Sequence, residues 1–101
     1  NPSANVLLAL DQNNAVVGMA SVYVWETMPG KKAFIEDVAV LEENRGQGIG
    51  KELTLRLIKI AREKGARHID LTSHPSRVIA NRMYQHLGFE KRDTNVYRLK
   101  F

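Results

Sequence analysis

Residues 33–65 read AFIEDVAVLEENRGQGIGKELTLRLIKIAREKG, and the hydrophobic period changes inside this stretch. Residues 33–41 form a β-rich run interrupted by two acids, Glu36 and Asp37. From Ile49 onward, Ile49, Leu53, Leu57, Ile60 and Ala61 fall at helical spacing, with Lys51, Glu52, Arg56, Lys59 and Arg62 off that face. Gly65 is a C-terminal stop signal. Strand, glycine-rich loop and helix therefore follow one another within 33 residues.

Two runs precede this unit. Residues 5–10 are apolar and stop at the turn formers Asp11, Gln12, Asn13 and Asn14; residues 15–25 are β-rich. The pair reads as an antiparallel hairpin, with Gly18 marking a bulge or a close backbone approach. Beyond the helix, residues 68–73 read as a short strand. Pro75 or Ser76 opens a second helix with Ile79, Met83 and Leu87 as its apolar stripe and Gly88 as its stop. Phe89 begins a last β segment, and residues 95–101 alternate like a half-exposed strand. The expected fold class is α/β (α+β). It is a mixed, mostly antiparallel sheet with two helices in the order β-β-β-α-β-α-β-β.

The chain has 101 residues, one domain's worth, with 44% hydrophobic residues and no cysteine. That composition excludes a disulfide scaffold and a cysteine-ligated metal site. No apolar run approaches the roughly 20 residues of a membrane span, and no signal segment opens the chain. Lys and Arg number 15 against 11 acids, net +4, and none falls in the first thirty residues. The bias favours an anionic ligand at the second half. Nucleic acid fits poorly, because one Trp, three Tyr and three Phe are scattered rather than interleaved with the cations. His68, His74 and His86 match no metal spacing, so no metal is expected. Ser73 and Ser76 read as turn and helix-cap residues rather than nucleophiles. Lack of cysteine and targeting signals points to the cytoplasm.

The loop Arg45-Gly46-Gln47-Gly48-Ile49-Gly50-Lys51 is an anion site on physical grounds. Unpaired amides and a positive dipole end meet there, glycines allow close approach, and two cations bracket it. It fails the Walker A pattern, having Arg45 at the first glycine position and Glu52 after the lysine. It also fails the dinucleotide fingerprint, being spaced Gly-x-Gly-x-Gly.

At this loop the chain resembles the GNAT family of N-acetyltransferases, whose cofactor motif runs Gln/Arg-x-x-Gly-x-Gly/Ala. The segment Ala80-Asn81-Arg82-Met83-Tyr84-Gln85-His86-Leu87-Gly88-Phe89 resembles the family's second motif, Asn-x-x-Tyr-x-x-x-Gly-Phe. The resemblance implies acetyl-CoA as co-substrate and direct transfer of the acetyl group to a primary amine of a small molecule or a protein. It implies a pyrophosphate on the amides of Arg45 through Lys51. It also implies a pantetheine arm paired with Val38, Ala39 and Val40, where that strand and residues 68–73 splay apart, and a contact from Asn81 to the arm. Tyr84 occupies the position of the family's general acid toward the sulfur; packing beside Met83 and Leu87 is the alternative.

Glu36 is the candidate general base. In strict alternation it shares a face with Phe34, Val38 and Val40, and desolvation strengthens a carboxylate as a base, acting directly or through water. A bulge would instead turn it to solvent, or leave Asp37 inward. Backbone N–H groups near Val38 or Val40 are the expected oxyanion donors. The family places a strand and two helices before the first hairpin, whereas four residues precede Asn5. A piece of a longer parent is expected, N-terminally truncated, with its cofactor half whole and its acceptor half incomplete. A non-catalytic CoA-binding module is the other reading. A sheet edge or apolar patch left open would favour a homodimer or strand exchange.

Overall fold

The computed structural model describes residues 3–101. Three strands, β1 (Ser3–Leu10), β2 (Val16–Glu26) and β3 (Lys31–Val40), lead through a one-turn 3-10 segment (Glu42–Asn44) into helix α1 (Ile49–Glu63). A two-residue strand β4 (Ile69–Asp70) and helix α2 (Val78–His86) follow. The sheet order is β1-β2-β3-β4, antiparallel except for the parallel β3–β4 pair.

The core lies between one face of the sheet and α1. Ala20, Val22 and Val24 of β2, Ala33 and Ile35 of β3, and Leu53, Leu57 and Ala61 of α1 are buried together. The i, i+4 spacing expected on α1 is the spacing that packs. Gly18 serves close approach, since a Cβ there would stand 3.2 Å from the Ala39 carbonyl oxygen and 3.3 Å from Ile49 Cγ2. Leu57 is fully buried at the centre. Leu57→Ala should cost about 2–5 kcal/mol in a denaturant titration. The same change at Leu55, which is outside the core and 42% exposed, should cost much less.

Four expectations are corrected. The first is strict alternation along β3. Ser21 pairs with Asp37 but Val22 pairs with Ile35, so Glu36 is an extra, bulged residue. Val38 and Val40 thereby join Ala33 and Ile35 on the α1 face, and Glu36 is exposed instead of sharing an apolar face.

The second concerns β4. Only Ile69 and Asp70 of residues 68–73 pair with β3, opposite Ala33 and Phe34. Pairing ends just before the bulge, which turns β3 away.

The third concerns the end of the chain. Neither of the two final strands forms; the described order stops at α2. A strand needs a partner edge as well as alternation, and a two-residue β4 supplies almost none. Val96, Tyr97, Leu99 and Phe101 are all exposed.

The fourth concerns α2. It starts at Val78, and its expected stripe is only partly packed: Ile79 is exposed, Met83 and Leu87 are half-buried, and Tyr84 beside them is buried. Ser76 is not its cap. The Ser76 N–H donates to His74 Nδ1 at 3.0 Å, with Ser76 Oγ 2.8 Å from the same nitrogen.

Candidate active site

The glycine loop owes its shape to two residues in the left-handed region. Gly46 has φ +81° and Gly48 has φ +80°, and a Cβ on either would meet nothing within 4 Å. A side chain there would be strained, and it would project into open space over the loop. Gly48 is the N-cap of α1, and the first helical bond runs from Glu52 N–H to Gly48 O at 3.0 Å. The amides of Gly48, Ile49, Gly50 and Lys51 therefore have no carbonyl inside the helix and sit at its positive end. Lys51 is exposed beside them. Arg45 folds back, donating from Nε to Val40 O at 3.2 Å.

The edge of β3 leads into this loop. Lys31 O accepts from Arg67 N–H and Ala33 N–H donates to His68 O, so alternate residues 31, 33 and 35 face β4. At the far end, Leu41 N–H donates to Val17 O across the β2 side. Val40 and Val38 must then direct their N–H and C=O away from β2, and Arg45 on Val40 O agrees with this. The odd-numbered parity switches to even because of the bulged Glu36. β4 has ended by this point, so the amides of Val38 and Val40 border an open split about 20 Å long between Phe34 and Val40.

A groove of about 1100 Å³ lies on the β4 side, walled by residues 67–73, the C-terminal half of α1, α2 and residues 89–92. Phe34, Ser73, Asn81 and Tyr84 line it; Glu36 and residues 38–51 do not. Asn81 and Tyr84 are one helical turn apart and share a face. Asn81 Nδ2 donates to His74 O at 3.0 Å, pinning the turn that enters α2. The Tyr84 ring meets Phe89 edge to face at 5.8 Å, an environment that Gly88-Phe89 brings back against the helix. Burial pushes the Tyr84 phenol up from its ordinary 10.0, opposed by the Arg77 guanidinium. The hydroxyl therefore stays protonated across the physiological range. Asp37, not Glu36, pairs with Ser21, accepting from its Oγ at 3.3 Å. Ser73, read from sequence as a turn residue, has a buried oxygen facing no partner; no pattern in the sequence marks it.

A model of the acetyltransferase (GNAT) family matches residues 1–89. The chain belongs to the GNAT acetyltransferase family. Over 78 residues it is 31% identical to thialysine N-epsilon-acetyltransferase of Mus musculus, covering 76% of this chain and 46% of that enzyme. Over 85 residues it is 33% identical to L-amino acid N-acyltransferase MnaT of Escherichia coli strain K12, covering 82% and 49%. The chain thus spans about half the length of these two relatives. A solved Trypanosoma brucei acetyltransferase superposes with a TM-score of 0.85 at 29% identity, over 97% of this chain and 69% of that one. Both motifs that resemble the GNAT pattern lie on the features just described, one on the loop and one on the helix lining the groove. Among the described residues, no cluster of His, Asp and Glu would hold a metal ion, and no helix is long and apolar enough to cross a membrane.

Proposed function

We propose that this chain is the donor-binding and acyl-transfer core of an N-acetyltransferase that passes the acetyl group of acetyl-CoA to a primary amine. The observation that carries the reading is the open edge of β3. It runs from a groove holding a buried tyrosine to a loop of left-handed glycines and unpaired amides. A diphosphate fits the loop, because two glycines leave bare the space a Cβ would fill and Lys51 adds a charge. An extended arm bearing amides fits the split, because Val38 and Val40 offer it a strand edge around Ala39. Acetyl-CoA joins these two chemistries and supplies a thioester, an activated acyl group.

The chain's own groups then have five tasks. The amides of Gly46 through Lys51 hold the phosphates; the Arg45 N–H already donates to Glu42 O at 3.2 Å. The N–H groups of Val38 and Val40 are the available donors for negative charge developing on the acyl oxygen. Glu36, exposed at the bulge, takes the amine proton through water as the new C–N bond forms; a free alkylamine has a pKa of about 10.4 and must lose that proton. Tyr84 delivers its phenolic proton to the sulfur as the C–S bond breaks. Asn81 fixes the turn beside this site.

The names of the relatives point to small acceptors: thialysine at its ε-nitrogen and L-amino acids. Thiol release from acetyl-CoA, followed against a panel of lysine-like amines, amino acids and amine-free controls, tests the reading. Amine-dependent release supports it. Binding without release under every acceptor would leave a CoA-binding module instead. Glu36→Gln should lower kcat about 100-fold with CoA affinity unchanged, while Asp37→Asn should leave kcat within about twofold. Equal turnover by Glu36→Gln and the unaltered chain would remove Glu36 from the mechanism.

A further inference from the structure

Ser73 carries the one buried side-chain polar atom without a hydrogen-bond partner among the described residues. A buried hydroxyl left unpaired is costly, and native structures keep one where a ligand or water completes it. The position of Ser73 favours a ligand. It follows the two paired residues of β4 by three positions, where the chain has left β3, and it lines the groove with Asn81 and Tyr84. Ile69 and Leu71 pack against the core, so the chain around Ser73 is anchored from its N-terminal side. Asn81 anchors the other side through His74 O. Ser73 is thus held between two fixed points beside the groove.

The two walls of the split differ in chemistry. The β3 wall offers backbone groups of Val38 and Val40. The β4 wall beyond Asp70 has no ladder, and Ser73 is its buried polar group. Resting on the acetyl-CoA reading, we propose that Ser73 Oγ is a donor-positioning group. Turned about χ1 from its buried position into the groove, it hydrogen-bonds the amide and thioester arm of the donor from the β4 wall and leaves the adenosine diphosphate head to the glycine loop. Ser73 takes no part in bond making; it fixes where the arm lies relative to Tyr84.

Calorimetry on Ser73→Ala with two probes tests this: CoA, and adenosine 3′-phosphate 5′-diphosphate, which has the head without the arm. CoA affinity should fall about five- to tenfold and the affinity for the head alone should stay within about twofold. The free variant should melt at or above the temperature of the unaltered chain, because an unsatisfied group has been removed. Ser73→Thr, which keeps the hydroxyl, should restore CoA affinity. Three results would overturn the proposal: unchanged CoA affinity with a raised KM for the amine, equal losses for both probes, or a destabilised or unfolded Ser73→Ala chain. The last would mean that the hydroxyl is satisfied within the protein. Failure of the unaltered chain to bind CoA at all would instead sink the acetyl-CoA reading itself.

Discussion

Gly48→Asp lowers CoA affinity by at least about 100-fold, equivalent to about 2.8 kcal/mol, while the chain still folds. A Cβ at this position meets nothing within 4 Å, so no core contact is disturbed. The backbone at φ +80° costs a non-glycine residue about 1–2 kcal/mol, a tolerable loss for a packed domain. The damage is electrostatic. A carboxylate at the N-cap of α1 would stand beside the unpaired amides of Gly50 and Lys51 and repel a diphosphate from them. Gly48→Ala is the control, because it carries the same backbone strain without the charge and should lose much less affinity. Calorimetry for binding and a melting curve for the fold separate the two effects. Normal CoA affinity in Gly48→Asp would discard the loop as the phosphate site.

Tyr84→Phe should lower kcat about 100-fold and leave CoA affinity within about twofold, as expected for a proton donor acting in the transition state. The phenol is buried against Phe89 and its pKa is raised, chiefly by desolvation, so the acid form persists at alkaline pH. The rate profile of the unaltered chain should keep its acid-dependent limb above the ordinary value of 10.0, and the Tyr84→Phe variant should lack that limb. Stability follows the same proton. The unfolded chain gives it up first, so Tyr84 contributes a loss of stability as pH climbs above 10.0, which Tyr84→Phe should not show. Unchanged kcat with a lowered melting temperature would mark Tyr84 as packing alone.

What the sequence revealed and what it concealed divide along local and non-local lines. The change of period between residues 33–41 and Ile49 was readable because a strand and a helix each write their own spacing. The same helical spacing put Leu53, Leu57 and Ala61 on the apolar face that packs in the core. The glycine loop was readable because dipole, amides and cations lie within seven consecutive residues. The bulge at Glu36 was not, because a register shift is decided by how β2 and β3 pair across the sheet. Its consequence is large: it takes Glu36 out to solvent and turns the backbone N–H and C=O of Val38 and Val40 toward the split. Helix α2 begins later than its sequence suggests, at Val78, and the burial of Tyr84 in place of Ile79 depends on Phe89 folding back. Residues 95–101 alternate well, yet they find no edge to pair with.

Calorimetric titration of CoA into the folded chain tests the central claim most directly. Saturable one-to-one binding is expected, displaced by acetyl-CoA and weakened by Gly48→Asp, with a rise in melting temperature by linkage. No heat, no thermal shift and no competition in properly folded material would contradict it.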